Sequence, residues 1–570
     1  MGLSRIARPD AEGATLAALL LFVALLCGLP LGLLARVGVS GEAGLSLGPL
    51  IEAAGDRSVR RALWNSLESA GASAALATAI GTALALAIGL TDVRAKAPLV
   101  FLILLPMMIP PHVTAVAWTQ AFGPSSPLLR TLGLAPEIGT RHPLYSREGV
   151  ILLLTVQHAP LAFLTVRAAL RALPREMAEA ARVSGAGAAL MLRRVALPLL
   201  APTLVAAFAL AFVSALGNFG IPALLGIPAR YTTLPVLIWR RLSAFGPTVL
   251  QDVAVIAALV AIVAAAAVAL QIALQRRFRA ALIGPPQPPL ALRLGPGRRW
   301  MEAGLWSYVA ATLIMPLAAL LATALVRTYG LPLNAGTATL SNFREILLEQ
   351  SVTARAFANS TLAAGAAAAI LALVAAGLGR FLSVGGGLAR RGAGAAAALA
   401  DIAYAVPGIV LSIAFILAFL RPLPLIGLQL YGTLGIIMLA YLAAFLSIAL
   451  KPVSAAYAAL DPALDDAARV CGAGFAMRMR RVALPLVAPA AASGAVLVFL
   501  TAYNEVTVSA LLWSSGSETI GATIFNYEDG GYTTLAAAMA SVTVAATTLL
   551  MLALHALGRR LPAGVAPWRD

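Results

Sequence analysis

The chain has 570 residues, 60% of them hydrophobic and only 11% charged, and its mean hydropathy is +0.90. A composition this apolar over this length excludes a soluble fold and fits a set of lipid-spanning helices. The basic excess, 41 Lys and Arg against 24 Asp and Glu, collects at the ends of apolar runs, as topology signals do, and leaves no basic soluble domain for nucleic acid.

Apolar runs of roughly 20 residues, enough to cross a hydrocarbon core about 30 Å thick, predict an all-α polytopic membrane protein of about twelve spans. Six lie near 14–36, 63–90, 97–121, 149–170, 202–226 and 250–274. Six more lie near 305–327, 358–382, 395–419, 432–450, 487–513 and 533–556. The first run follows Arg5 and Arg8 as a signal peptide would, but it is too long for a signal's apolar core and no small-residue cleavage site follows. It reads as a retained span. Leu26 before Cys27 does not suit a lipoprotein, and Cys27 and Cys471 lie in separate parts of the pattern, so no structural disulfide is expected. Between the halves, 275–304 carries GPPQPP and GPGRR, which no continuous helix accommodates. The expected division is a first transmembrane domain at 1–280, a cytoplasmic Pro/Gly/Arg-rich linker at 281–302 and a second transmembrane domain at 303–570.

The halves repeat each other. EAARVSGAGAALMLRRVALPLLAP at 179–202 returns 287 residues later as DAARVCGAGFAMRMRRVALPLVAP at 466–489. WNSLESAGASAA from Trp64 is echoed by ANSTLAAGAAAA from Ala358, and FVSALGNFGIPALLG at 212–226 by FLTAYNEVTVSALLW at 499–513. RYTTLPVLIW has a faint echo in SETIGATIFN. With the N-terminus in the cytoplasm, alternation places 92–96, 167–194, 276–299, 390–391, 451–481 and 559–560 inside, with most of the basic residues and both termini. Six crossings separate the two copies of the repeated loop, so the repeat is parallel, and a translocation path is expected between the halves.

The loop itself has a physical reading. Pro174 opens a helix, Glu176 and Glu179 suit its N-terminal dipole, Gly185 and Gly187 weaken it, and Leu197-Pro198 predicts a kink or break before the next span. The expected product is a short helix–bend–helix, too charged to span and too apolar to be fully solvated. Such a patch suits either a docking surface or an interfacial helix resting on headgroups.

The spacing E-A-A, three residues, G, nine residues, I-x-L-P resembles the cytoplasmic loop of ABC importer permeases. Glu179, Ala180, Ala181, Gly185, Val195, Leu197 and Pro198 match it, with valine for isoleucine. So do Asp466, Ala467, Ala468, Gly472, Val482, Leu484 and Pro485, with aspartate for glutamate. The resemblance implies the type I (MetI-like) permease fold in two parallel six-helix repeats and coupling helices near 175–192 and 462–479. It also implies two copies of a separate ATPase subunit, a periplasmic binding protein and a place in the bacterial inner membrane. The two lysines, Lys96 and Lys451, fit no P-loop, in keeping with hydrolysis supplied by another protein. No catalytic residue, cofactor or resident metal is expected. A twelve-span secondary transporter gives no reason for the duplicated loop.

The fused double form resembles ferric-iron permeases, with LGNFGIPALLGIP at 216–228 and YTTLPVLIWRRL after it; thiamine, 2-aminoethylphosphonate and polyamine permeases are the alternatives. Asn218 and Asn504 read as corresponding positions about 20 residues past the Leu-Pro step, towards the outer half of the membrane. Glu505, an intramembrane carboxylate, joins them as a candidate path residue. Gln157 and His158 interrupt the fourth span, as path groups or as helix–helix hydrogen-bonding groups. Tyr527, Glu528 and Asp529 are expected in an external loop.

Overall fold

Proline and its neighbours decide how these apolar helices run. The computed structural model describes residues 11–41, 44–137, 139–171, 179, 183–185, 187–243, 249–277, 292–422, 427–461 and 463–557. The first half comprises α1 (Ala11–Gly38), α2 (Arg57–Leu90), the pair α3 (Lys96–Met108) and α4 (Pro111–Phe122), α5 (Arg147–Arg171), α6 (Leu192–Leu216), the short α7 (Leu234–Leu242) and α8 (Val249–Arg277). The second comprises α9 (Gly295–Ala324), α10 (Ser351–Ser383), the pair α11 (Gly387–Ala405) and α12 (Gly408–Phe419), α13 (Leu434–Ala458), α14 (Ala463–Val470), α15 (Phe475–Tyr503), α16 (Ile520–Asp529) and α17 (Thr533–Leu557). Among the described residues ten helices are long and apolar enough to cross a membrane, and the two bent pairs bring the number to twelve.

The Leu197-Pro198 step does not break its helix. A five-residue π turn, Leu192–Ala196, runs directly into it, and Met479–Ala483 does the same before Leu484-Pro485. Ala24–Gly28 before Leu29-Pro30 and Ala310–Ile314 before Met315-Pro316 repeat the device. A proline lacks an N–H and its ring presses on the carbonyl four residues back, so widening the preceding turn relieves the clash while the helix continues. The fifth span therefore begins at Leu192 and ends at Leu216, ten residues earlier than the hydropathy suggested.

The true breaks lie elsewhere. α3 and α4 meet at 103°, and α11 and α12 at 113°. Both corners are an apolar residue followed by proline in matching extended conformations: Ile109-Pro110 (ψ 131° and 140°) and Val406-Pro407 (ψ 129° and 136°).

The halves interlock. α1 packs on the second half, with Leu399 against Gly28, Leu19 against Gly377 and Leu20 against Gly392. α9 returns the exchange, as Leu305, Val309 and Leu313 share a core with Leu99, Ile103 and Val113. Within the first half α2 and α5 run parallel and close. A Cβ on Gly81 would lie 2.6 Å from the Phe163 nitrogen, and Gly89 faces Leu170. Small residues let backbones approach in this way where lipid supplies no hydrophobic drive.

Candidate functional site

At one membrane end lies the second repeated loop. α14 ends in a two-bond glycine cap: Ala473 N donates to Ala468 O (3.0 Å) and Gly472 N to Arg469 O (2.9 Å), with Gly472 at φ +78°. The pattern is a Schellman motif, which needs the left-handed region at its penultimate residue. In the first loop Gly185 sits at φ +79°, so the same turn recurs. Glu179 and Asp466 are both exposed; Ala467 is exposed and Ala468 half-buried; Ala180 and Ala181 lie outside the described residues. Leu197 and Leu484 are half-buried, Pro198 and Pro485 exposed. The sequence pointed to an apolar patch on this loop, and the fold shows which residues form it. Val183 and Val470, 287 residues apart, are 90% and 89% exposed, and Leu190 and Met477 repeat the match at 51% and 52%. Twin apolar surfaces of this kind have no reason to face water unpartnered.

The second loop is also tied down. Asp465 bonds Arg478 (2.6 Å) and Arg380 (3.1 Å), and Arg478 reaches Glu12 on α1 (2.9 Å). Arg380 stacks over Phe475. Burial alone would raise the Asp465 carboxyl, but the guanidiniums of Arg380, Arg478 and Arg469 outweigh it and hold the group below the ordinary carboxylate range. The first half has Ala178 and Met191 at the positions of Asp465 and Arg478. This Asp–Arg pair therefore has no equivalent residues in the first half.

Deeper in the membrane, each half's bent pair meets the end of the other half's fifth span. Gly217 abuts Pro407, and Asn504 Nδ2 points at the Met108 carbonyl (3.4 Å). The hydrogen bonds correct the expected pairing of Asn218 with Asn504. Ile221 N donates to Asn218 Oδ1 (3.1 Å), three residues on, and Val508 N donates to Glu505 Oε1 (2.8 Å), again three residues on. Asn218 and Glu505 are thus the matched pair, each capping the turn that follows, and Asn504 matches Gly217. Asn504 is buried, with weak bonds from Nδ2 to Leu500 O and Thr547 and no partner for Oδ1 among the described residues.

Gln157 and His158 are occupied. Gln157 donates to the Pro106 and Ile109 carbonyls (both 3.3 Å) and accepts from Thr114, so it satisfies backbone freed by the α3–α4 bend. His158 bonds Leu154 O (2.7 Å) and Ser214 Oγ (3.0 Å), joining α5 to α6. Two buried groups on α4 went unnoticed in the sequence: His112 and Gln120 lack partners for either polar side-chain atom among the described residues. Their place behind Pro110-Pro111 was the available signal. Unpaired polar atoms at such depth are costly unless water or a polar solute reaches them.

The opposite membrane end holds the starts of α2 and α5. There the Asn-Ser repeat finds its purpose. Asn65 Nδ2 donates to Thr232 O and Leu234 N to Ser66 Oγ; Asn359 Nδ2 donates to Glu518 O and Ile520 N to Ser360 Oγ. These contacts align the faint echo with a one-residue slip, so that Arg230 takes the place of Gly516. Both have positive φ, +55° and +93°. The left-handed region costs a non-glycine residue about 1–2 kcal/mol. Arg230 lines an open cleft of about 450 Å³ together with Arg61, Arg141, His142, Tyr145 and Arg147. Tyr527, Glu528 and Asp529 finish α16 and do not form a loop.

Comparison with known proteins agrees with this architecture. The family model described as the inner membrane component of binding-protein-dependent transport systems matches twice, at 77–280 and 379–563. A probable ABC transporter permease, y4fN of Sinorhizobium fredii, is 28% identical over 533 residues, covering 90% of each chain. A probable molybdenum ABC transporter permease of Haloferax volcanii is 31% identical over 26% of this chain and 52% of its own length. A putative 2-aminoethylphosphonate permease, PhnV of Salmonella paratyphi A, is 29% identical over 28% of this chain and 58% of its own.

Proposed function

Because the chain belongs to the family of inner membrane components of binding-protein-dependent transport systems, with that domain present twice, we propose that it is a two-half pore subunit of an ATP-driven importer. A solute delivered by a periplasmic binding protein passes between the halves, and separate ATPase subunits, one per repeated loop, push from the cytoplasm. Both termini are cytoplasmic and the membrane is the bacterial inner membrane. The matched, exposed Val183 and Val470 beside glycine-capped turns carry this reading, since they offer two equal apolar seats at one membrane end. The path residues are Asn218, Asn504 and Glu505, where each half's fifth span meets the other half's bend.

Two cargoes follow from different observations. The fused layout resembles ferric-iron permeases and suggests Fe(III). The relatives named for phosphonate and molybdenum transport, and the arginines of the far-end cleft, favour a small oxyanion or phosphonate. Among the described residues no three His, Cys, Asp or Glu side chains gather to hold a metal ion. The deciding experiment is uptake of labelled iron and of labelled 2-aminoethylphosphonate into vesicles holding the chain, its ATPase and its binding protein. Uptake is expected to need ATP and both partners. Transport by the chain alone would overturn the reading.

A further inference from the structure

We propose that the cleft at the far end of the first half is a binding site for a phosphate- or phosphonate-like oxyanion, the group by which the cargo is received before it passes inward. This rests on the import reading above and adds the chemical class of the cargo to it.

The position follows from the helices. α2 and α5 run parallel, so Arg61 and Arg147 share one membrane end, and the repeated loop that follows α5 lies at the other. On the import reading the cleft therefore opens on the side from which cargo arrives. Its volume of about 450 Å³ suits a small molecule.

The charge is unbalanced in a way the second half avoids. Arg355, the counterpart of Arg61, is held by both carboxylate oxygens of Glu518 (3.1 and 3.2 Å). In the first half Thr232 occupies the place of Glu518, and Arg61 is left exposed without a carboxylate partner among the described residues. Arg230 is likewise exposed and unpaired among them, and Arg141 reaches only the Tyr145 carbonyl (3.4 Å). Arg147 is neutralised by Glu68 (2.8 Å). His142 adds no charge: its Nε2 bonds Thr119 O, its Nδ1 accepts from Leu144 N, and burial keeps the ring's pKa below its usual value.

Three guanidiniums without a carboxylate partner among the described residues surround one small cleft, whose lining holds a single carboxylate, Glu148, and they repel a ferric ion. They match instead a multiply charged tetrahedral oxyanion, whose oxygens accept several forked donors at once. The backbone adds a second, independent sign. Arg230 stands in a left-handed conformation where the second half uses Gly516. Glycine is the unstrained choice there, and strain retained at such a position points to use of the side chain.

The test uses the full chain in nanodiscs of zwitterionic lipid, titrated with methylphosphonate and inorganic phosphate in low-chloride buffer. Wild type is expected to bind, and Arg230→Gly and Arg61→Gln to bind at least about tenfold more weakly. Arg230→Gly installs the residue of the second half, so its melting temperature is expected not to fall, which separates lost binding from lost folding. No binding by wild type, or unchanged affinity in both variants, overturns the site. So does a defect confined to docking of the binding protein, or binding seen only for anionic lipid. The titration needs neither ATP nor transport. ATP-driven uptake without oxyanion binding sinks this inference alone, and oxyanion binding without ATP-driven uptake of any cargo sinks the import reading instead.

Discussion

A single methyl group on Gly472 or Gly185 would meet open space, yet both positions resist it, because a side chain at φ near +78° strains the backbone itself. Replacing both with valine is expected to cost about 1–2 kcal/mol per site or to unwind the turn, shifting Val183 and Val470 from their matched places. Binding-protein-stimulated ATP hydrolysis and uptake, measured together in vesicles, should then fall out of step. Wild-type values for both would show that the turns do not matter. Glu505 permits a cleaner separation. Glu505→Asn installs the cap that the first half uses and should keep stability within about 0.5 kcal/mol, whereas Glu505→Ala should lose about 1 kcal/mol. If the carboxylate also lines the path, uptake falls in the asparagine variant although its melting temperature holds; unchanged uptake would restrict Glu505 to capping.

Among the elements, α14 is held by a buried cluster of charges. Asp465 keeps Arg380 when Arg478 is lost, so Arg478→Met should cost about 1–3 kcal/mol, whereas Asp465→Ala strands two buried guanidiniums and should cost about 3–5 kcal/mol. Asp465→Ala combined with Arg478→Met restores the residues of the first half, and its cost should be well below the sum of the single losses. Thermal unfolding in detergent measures both. The folded pKa of Asp465 lies below its unfolded value of 3.8, so its contribution is complete above about pH 4 and disappears as pH falls through the folded value. The stability gap between wild type and Asp465→Asn should close accordingly below pH 4. How much was legible in the sequence also belongs to this scale. Span number was readable, because apolar length must match bilayer thickness. The placement of the fifth span was not, since Leu197-Pro198 reads as a break unless the preceding π turn is foreseen. Asn218 was matched to Asn504 by residue type, whereas the shared task is capping, which Glu505 performs equally well. The arginine cleft was invisible, because its side chains come from distant segments that only the fold assembles.

For the molecule as a whole, the exchange of α1 and α9 makes each half incomplete. Cutting the chain between 281 and 291, before α9 begins, and expressing both pieces together should yield halves that copurify, while either piece alone aggregates. Recovery of a stable, soluble first half in detergent on its own would contradict the interlock. One tether holding two such units at an effective concentration in the millimolar range excludes pairing of a half with its own copy. Freed from self-complementarity, the two sides have been able to specialise: arginine strained into a glycine's place on one, a buried carboxylate lashed to the opening helix on the other. Covalent fusion here is what lets a symmetric machine wear two different faces.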